Sequence, residues 1–137
     1  MKIHGIGVDI IKISRIKKSL NNYRFKTRIY SSDEVKNCNQ ITKQENCYAK
    51  KFAAKEAFSK ALGTGISGGI SFNEIVVYNK KSGKPHIKLL GKTKKKVNNI
   101  LKGKKFNISL SLSDDIPFAL AAVIISIWLK RIFLIQY

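Results

Sequence analysis

The segment over residues 44–62 limits the possible folds of this chain more than any other part of the sequence. Alanine and phenylalanine recur there at helical spacing, at Ala49, Phe52, Ala53, Ala57 and Ala61. Gly63 follows directly, and a glycine in this place commonly ends an α-helix. The sequence therefore predicts one long helix from Gln44 to Leu62.

Short strands and short helices are predicted on both sides of this helix. A β-branched run that contains glycines predicts a first strand from Ile3 that ends near Asp9. Patterning and turn signals predict helices over residues 14–22 and 24–30, a helix from Ser31, a hairpin over 72–90, a basic helix over 92–101, and strands over 106–112 and 118–129. We therefore predict one α+β domain over residues 1–137, with a mostly antiparallel sheet packed against helices in the order β-α-α-α-β-β-α-β-β.

The composition is that of a folded globular domain with an unusual excess of positive charge. The 137 residues are 44% hydrophobic, which argues against a disordered chain. There are 27 Lys and Arg side chains against 8 Asp and Glu, which gives a formal net charge of +19. Such a field attracts polyanions: nucleic acid, an anionic membrane, a phosphorylated cofactor or an acidic protein. The charge alone does not select among these partners.

Cysteine usage and the N-terminus predict a cytoplasmic protein. Cys38 and Cys47 are too few for a disulfide scaffold and lack metal-ligand spacing, so we expect two free thiols in a reducing compartment. No apolar segment with a cleavage site follows Lys2, so no signal peptide is predicted. The most apolar stretch, residues 116–129, is shorter than the roughly 20 residues that cross a bilayer, so we expect no membrane partner.

The last predicted strand is apolar on both of its faces. One face contains Leu120, Ala122, Ile124 and Ser126, and the other contains Ala119, Ala121, Val123, Ile125 and Ile127. A small domain with helices on one side of its sheet has little with which to cover the second face. We therefore expect neighbouring copies of the chain to cover that face in a closed assembly.

Because the chain has few acids, the positions of Asp9 and Glu56 are informative. Asp9 ends an otherwise apolar strand, behind Gly5 and Gly7, which allow the close approach of other backbone. Glu56 lies in the long helix among alanines, four residues before Lys60. One interpretation is structural: Asp9 caps the strand end, and Glu56 forms a surface pair with Lys60. The other is that the two carboxylates converge on Mg²⁺, which proteins commonly hold with one or two carboxylates and substrate phosphates.

Two further features could bind anions. Lys60 is followed by a glycine-rich loop that begins Gly63-Thr64-Gly65, whose amides and neighbouring lysines could hold a phosphate. The loop lacks the GxxxxGK[ST] pattern of P-loop NTPases and also fits a simple helix end and turn. The lysine run over residues 92–96 is either the solvated face of a helix or an anion-binding face. His4 and His86 have no partner at metal-ligand spacing, so we interpret them as structural or surface residues.

Four blocks of the sequence become recognisable when they are taken together. They are GIGVDI at residues 5–10 with Arg15-Ile16 behind it, FAAKEAFSKALGTG at 52–65, GKP at 83–85, and SLSLSDD at 109–115 with Phe118-Ala119 after it. Together they resemble the bacterial holo-acyl-carrier-protein synthases, which are short, single-domain phosphopantetheinyl transferases. The resemblance covers residues 3–127 and leaves residues 128–137 unassigned. Many relatives have a histidine where this chain has Asp114.

The resemblance implies a domain of the phosphopantetheinyl transferase type that is active as a homotrimer, with sites between neighbouring subunits. It implies Mg²⁺-dependent transfer of the phosphopantetheine arm from coenzyme A to a serine of apo acyl carrier protein, with release of adenosine bisphosphate, in support of fatty acid synthesis. It implies Asp9 and Glu56 as metal ligands, with Glu56 and Lys60 as catalytic residues. Coenzyme A contacts are implied for Lys60, Gly63, Thr64, Gly65, Lys84 and Pro85, and carrier-protein contacts for Arg15, Arg24 and Arg28.

Two other classes of protein are left open by the sequence. A nucleic-acid-binding module without catalytic activity would account for the net charge of +19, but it leaves Asp9 and the helix around Glu56 unexplained. A phosphopantetheinyl transferase that has lost its activity would share the fold, and only the two retained carboxylates argue against it. We adopt the active transferase, with coenzyme A and an acidic carrier protein as partners and no nucleic acid.

Overall fold

The first strand leads directly into a series of helices, and the remaining four strands follow them. The computed structural model describes residues 1–65 and 68–130, so the end of the tail and part of the glycine-rich loop lie outside the described residues. The elements are β1 (Lys2–Lys12), α1 (Ile13–Ser19), α2 (Tyr23–Ile29), α3 (Ser32–Asn39), α4 (Gln44–Leu62), a 3₁₀ turn (Phe72–Glu74), β2 (Ile75–Asn79), β3 (Pro85–Leu89), α5 (Gly91–Ile100), β4 (Phe106–Asp115) and β5 (Phe118–Ile127).

The predicted α+β class and the order of the strands are confirmed. The strands form two antiparallel sheets: β1-β5-β4, and the hairpin β2-β3. Four helices, α1 to α4, separate β1 from β2, one for each of the four helical segments predicted there, although the predicted order writes three. Helix α2, predicted over residues 24–30, begins after Asn22, because the Asn22 side chain accepts hydrogen bonds from the backbone N–H groups of Arg24 and Phe25.

The predicted long helix is confirmed as α4, with the predicted ends. Gly63 ends it in the left-handed conformation, with φ of 90°, and its N–H donates to the carbonyl oxygens of Ser59 and Lys60. Its alanines are buried, including Ala49, Ala53, Ala57 and Ala61. Neither α4 nor any other helix in the described part of the chain combines the length and hydropathy that a membrane span requires.

Strand β1 crosses α4 at a distance that permits no side chain between them. A Cβ atom at Gly7 would lie 1.8 Å from the carbonyl oxygen of Ala57, and one at Gly5 would lie 1.9 Å from that of Ala61. Only glycine fits at such a contact between two backbones. The close crossing brings the strand residue Asp9 next to the C-terminal half of α4, where it contacts Lys60.

The outer face of the three-stranded sheet is uncovered within one chain. Val123 and Ile125 point toward α4 and are fully buried, whereas Leu120 and Ile124 are 36% and 37% exposed. The predicted division of the last strand into two apolar faces is confirmed, although β5 ends two residues earlier than expected. On β1 the same outer face is continued by the cross-strand partners Ile6, Val8 and Ile10.

The prediction of free thiols is wrong. Cys38 and Cys47 form a disulfide across a sequence separation of 9 residues. Cys38 lies near the end of α3 and Cys47 in the first turn of α4, and the packing of these helices brings their Cα atoms to 5.5 Å. Sequence spacing alone does not reveal this proximity, because it depends on how the chain reverses between the two helices.

Candidate active site

Strand β1 and the C-terminal half of α4 bring Lys60 together with the carboxylates of Asp9 and Glu56. Lys60 Nζ donates to Asp9 Oδ1 at 3.2 Å and to the carbonyl oxygen of Val8 at 2.9 Å. Glu56 lies about one turn before Lys60 on α4. The structural interpretation expected an ion pair between Lys60 and Glu56, but the pair is formed with Asp9. The Asp9 side chain is 16% exposed and that of Lys60 is 54% exposed, so the cluster is open to an incoming molecule.

The carboxyl group of Glu56 lies in an unusual electrostatic environment. Burial raises its pKa above the ordinary value, and the negative charge of Asp9 raises it further. The positive charges of Lys60 and Arg15 act in the opposite direction. Asp9 and Glu56 are therefore close enough to repel one another. Two carboxylates in this relation could hold a divalent cation, which would remove the repulsion.

The glycine-rich loop begins at the end of α4, next to the Lys60 turn. Thr64 Oγ1 donates to the carbonyl oxygen of Gly65 at 3.3 Å. A Cβ atom placed at Gly63 or Gly65 would meet no atom of residues 1–65 and 68–130 within 4 Å. His4 has the structural contact expected of it, because its Nε2 lies 3.1 Å from the carbonyl oxygen of Leu62 and fixes the helix end.

An apolar cavity of about 510 Å³ adjoins Glu56. Its walls include Phe25 from α2, Phe52 from α4 and Phe72 from the 3₁₀ turn. The Phe52 ring centre lies 6.2 Å from that of Phe25 and 6.1 Å from that of Phe72. Sequence reasoning did not find this cavity, since its aromatic residues come from three separate elements. It could receive an apolar group beside the Asp9–Glu56–Lys60 cluster.

The three arginines predicted to bind a carrier protein are exposed on α1 and α2. Arg28 lines the same cavity as Glu56, and the charge of Arg15 acts on the Glu56 carboxyl. Arg24 lies one turn before Arg28, on the same side of α2. The sequence contains no acid between Asp9 and Asp33, so every charged side chain of α1 and α2 is basic.

Lys84 and Pro85 are not brought to the Asp9–Glu56–Lys60 cluster within one chain. Pro85 lines a separate cavity of about 710 Å³ that also contains Asp114. Asp114 accepts a hydrogen bond from Asn46 at 2.9 Å and lies 3.4 Å from Lys50 Nζ; the hydrogen bond and then the lysine charge lower its pKa. Sequence reasoning did not single out Asn46 or Lys50, although their spacing of four residues places them on one face of α4.

Comparison with known proteins shows the family to which the chain belongs. A family model, the 4'-phosphopantetheinyl transferase superfamily, matches residues 5–120. The chain is similar to holo-[acyl-carrier-protein] synthase of Pelagibacter ubique, with 47% identity over 91% of this chain and 98% of that protein. It is also similar to the crystal structure of the same enzyme from Neisseria meningitidis, with a TM-score of 0.79, 38% identity, and coverage of 90% of this chain and 98% of that one.

A third similar protein was solved with a ligand. It is holo-[acyl-carrier-protein] synthase of Helicobacter pylori in complex with coenzyme A, with a TM-score of 0.75, 34% identity, and coverage of 88% of this chain and 99% of that one. The resemblance found in the sequence is therefore confirmed. The chain belongs to the holo-acyl-carrier-protein synthases of the 4'-phosphopantetheinyl transferase superfamily.

Proposed function

We propose that this chain transfers the phosphopantetheine arm of coenzyme A to a serine of an apo acyl carrier protein. The serine oxygen attacks the pyrophosphate phosphorus that bears the pantetheine, and a new P–O bond forms. The P–O bond to adenosine bisphosphate breaks with its electron pair remaining on the leaving phosphate oxygen, and the proton of the serine hydroxyl passes to solvent. The products are holo acyl carrier protein, which supports fatty acid synthesis, and adenosine bisphosphate.

The proposal rests on the convergence of Asp9, Glu56 and Lys60 at the crossing of β1 and α4. Lys60 is held by Asp9 and the Val8 carbonyl, so its ammonium group has a defined position in front of the cluster. In this position it can bind the phosphate oxygens of coenzyme A and stabilise the charge that develops on them during transfer. Gly63, Thr64 and Gly65 offer backbone groups along the path of the nucleotide.

Asp9 and Glu56 would hold a magnesium ion. In residues 1–65 and 68–130, no group of three or more His, Cys, Asp and Glu side chains is placed to hold a metal. Two carboxylates are a sufficient protein contribution for Mg²⁺, because this ion commonly takes its other ligands from water and substrate phosphates. When bound, the ion would neutralise charge on the phosphoryl oxygens.

The carrier protein would dock on the basic face of α1 and α2. Arg15, Arg24 and Arg28 can form bidentate contacts with the carboxylates of an acidic partner and steer its approach. The cavity beside Glu56 lies next to Arg28 and would receive apolar side chains near the reacting serine. A carrier protein that is bound by the three arginines would place its apolar side chains in this cavity. Its acceptor serine would then lie next to the Asp9–Glu56–Lys60 cluster.

The enzyme would act as a homotrimer. The uncovered face of the β1-β5-β4 sheet includes Ile6, Val8 and Ile10, which are 61%, 50% and 59% exposed. Contiguous apolar surface of this kind is usually covered by another protein surface, and closed symmetry limits its growth. In such an assembly the hairpin residues Lys84 and Pro85 of one subunit would complete the coenzyme A site of its neighbour.

Intact-mass spectrometry of an apo acyl carrier protein tests the proposed function. With this protein, coenzyme A and Mg²⁺, the carrier should gain the mass of one phosphopantetheine group. A carrier with its acceptor serine changed to alanine is the matched control and should keep its mass. An unchanged mass of the normal carrier, under conditions in which a known relative modifies it, would contradict the proposal.

A further inference from the structure

A fully buried ion pair lies beside the active site and has no part in the chemistry described above. The side chains of Lys55 and Glu34 are both 0% exposed, and Lys55 Nζ lies 2.7 Å from Glu34 Oε1. Lys55 Nζ also donates to the carbonyl oxygens of Phe72 at 2.8 Å and of Ile75 at 2.6 Å. These three bonds use all three protons of the ammonium group.

The pair bonds to one edge of β2, which has no neighbouring strand among the described residues. In the sheet, β2 has β3 as its neighbour on one side, so the backbone groups of its other edge need different partners. The Val77 N–H donates to Glu34 Oε2 at 3.0 Å. The Val77 carbonyl oxygen accepts from Lys51 Nζ at 2.8 Å. Charged side chains of α3 and α4 therefore hold this edge in place.

The hydrogen bond from Lys55 to the carbonyl oxygen of Phe72 also connects α4 to the 3₁₀ turn beside the proposed active site. Phe72 begins the 3₁₀ turn and lines the apolar cavity beside Glu56, together with the neighbouring residues Ile70, Ser71 and Asn73. Lys55 and Glu56 are consecutive residues of α4. One short stretch of helix thus presents the Glu56 carboxylate and anchors another wall of the same cavity.

An apolar residue could occupy the space of Lys55 but could not make its contacts. A buried ion pair is often no more stabilising than an apolar pair of similar volume. Here the buried lysines Lys51 and Lys55 both interact with the same carboxylate, that of Glu34. Burial lowers the pKa of Lys55 to about 8, although the charge of Glu34 acts to raise it. Without the ammonium group, the carbonyl oxygens of Phe72 and Ile75 would lose a buried donor. The directional bonds to these carbonyls are therefore what a lysine supplies at this position.

We propose that Lys55, oriented by Glu34, is a positioning residue that fixes the turn Phe72–Glu74 as one wall of the carrier-protein cavity. This inference rests on the proposed function, because it takes the cavity beside Glu56 as the one that receives the carrier protein. None of the three bonds of Lys55 reaches Asp9, Lys60 or Gly63. Loss of these bonds should therefore weaken carrier-protein binding more than coenzyme A binding.

Lys55→Met and Lys51→Met are a matched pair of variants for the test. Both remove a buried ammonium group from α4 that bonds to the edge of β2, but only Lys55 also bonds to the 3₁₀ turn. For each full-length variant we would measure amide hydrogen exchange over residues 70–75. The dissociation constants for coenzyme A and for apo acyl carrier protein would be measured by titration calorimetry, which requires no turnover.

Lys55→Met should speed exchange in the turn and weaken carrier-protein binding about tenfold, which corresponds to roughly 1.4 kcal/mol. Its affinity for coenzyme A should stay within about twofold, and Lys51→Met should leave both affinities and the turn within about twofold of wild type. Equal exchange of the turn in the two variants, or equal losses of both affinities in Lys55→Met, would overturn the proposal.

A second variant keeps the test decisive if Lys55→Met does not fold. Glu34→Gln preserves the side-chain volume but removes the charge that orients Lys55, and it should give the same pattern with a smaller change. An unchanged turn and unchanged carrier affinity in a folded Glu34→Gln protein would overturn the proposal. Failure of the wild-type protein to modify a carrier would instead refute the proposed function, because the exchange and binding measurements do not depend on turnover.

Discussion

Adding one methyl group at Gly7 should separate β1 from α4 and disrupt the active site. The new Cβ atom would lie 1.8 Å from the carbonyl oxygen of Ala57 and 2.7 Å from the backbone nitrogen of Ala61. Both are backbone atoms within a helix, so no side-chain rotation can relieve the contact. A normal carbon–oxygen contact exceeds 3 Å, so the strand must retreat from the helix by about 1 Å or more.

The retreat predicts two separate losses. Overpacking in a close contact costs about 3 kcal/mol when the neighbours cannot move, which corresponds to a fall in melting temperature of roughly 10 °C for a domain of this size. The same movement draws Asp9 away from Lys60, whose contact is now 3.2 Å. A displacement of about 1 Å in a catalytic arrangement can cost about 100-fold in rate. We therefore expect Gly7→Ala to lower kcat about 100-fold even well below its melting temperature.

Thermal melting followed by circular dichroism and initial rates of carrier modification would be measured on the same preparation. Asn98→Ala is the control, because Asn98 is an exposed residue of α5 that belongs neither to the Asp9–Glu56–Lys60 cluster nor to the uncovered apolar face of the sheet. That variant should melt within about 2 °C of wild type, as is usual for surface substitutions. A Gly7→Ala protein with wild-type stability and turnover would refute the close strand–helix contact on which the proposed active site depends.

Three further substitutions test the roles of separate surfaces. Lys60→Met should lower kcat/KM for coenzyme A about 100-fold. The protein should stay folded, because an exposed ion pair contributes little to stability. An unchanged kcat/KM in steady-state assays would show that Lys60 does not bind coenzyme A. Arg28→Glu should raise the KM for the carrier protein about tenfold and leave the KM for coenzyme A within about twofold. At high salt the KM for the carrier protein should differ less between the variant and wild type. Equal changes in both KM values would exclude docking of the carrier protein at Arg28. Ile124→Lys should give an inactive monomer by light scattering and activity assay, since it places a charge on the uncovered apolar face; an active trimer would contradict this assembly.

The parts of the fold that local patterns determine could be read from the sequence. Helix α4 has its predicted ends, because alanine spacing and a C-terminal glycine act within the helix itself. The hairpin β2-β3 and the two closing strands were also found from alternation and turn residues. Asp9 and Glu56 were candidates for a metal pair because acids are rare in this chain and both lie in otherwise apolar or small-residue segments, and the family resemblance favoured this interpretation over the structural one.

The features that the sequence did not reveal depend on contacts between distant segments. The spacing of Glu56 and Lys60 suggested that they form a surface pair. In the structure Lys60 pairs with Asp9 instead, and because Asp9 lies on β1, the periodicity of the helix gives no information about this contact. Lys55 looks like one more surface lysine in a basic helix, yet it is fully buried with Glu34, which lies 21 residues earlier. The Cys38–Cys47 disulfide likewise follows from the packing of α3 against α4.

The central claim is that Asp9 and Glu56 form the transfer site of this protein, and isosteric variants test it most directly. Asp9→Asn and Glu56→Gln keep the shape of each side chain and remove its charge. Intact-mass spectrometry would follow modification of apo acyl carrier protein by each variant and by wild type, at saturating coenzyme A and Mg²⁺. We predict modification by wild type and a rate at least about 100-fold lower for both folded variants. Modification at the wild-type rate by either variant would contradict the claim.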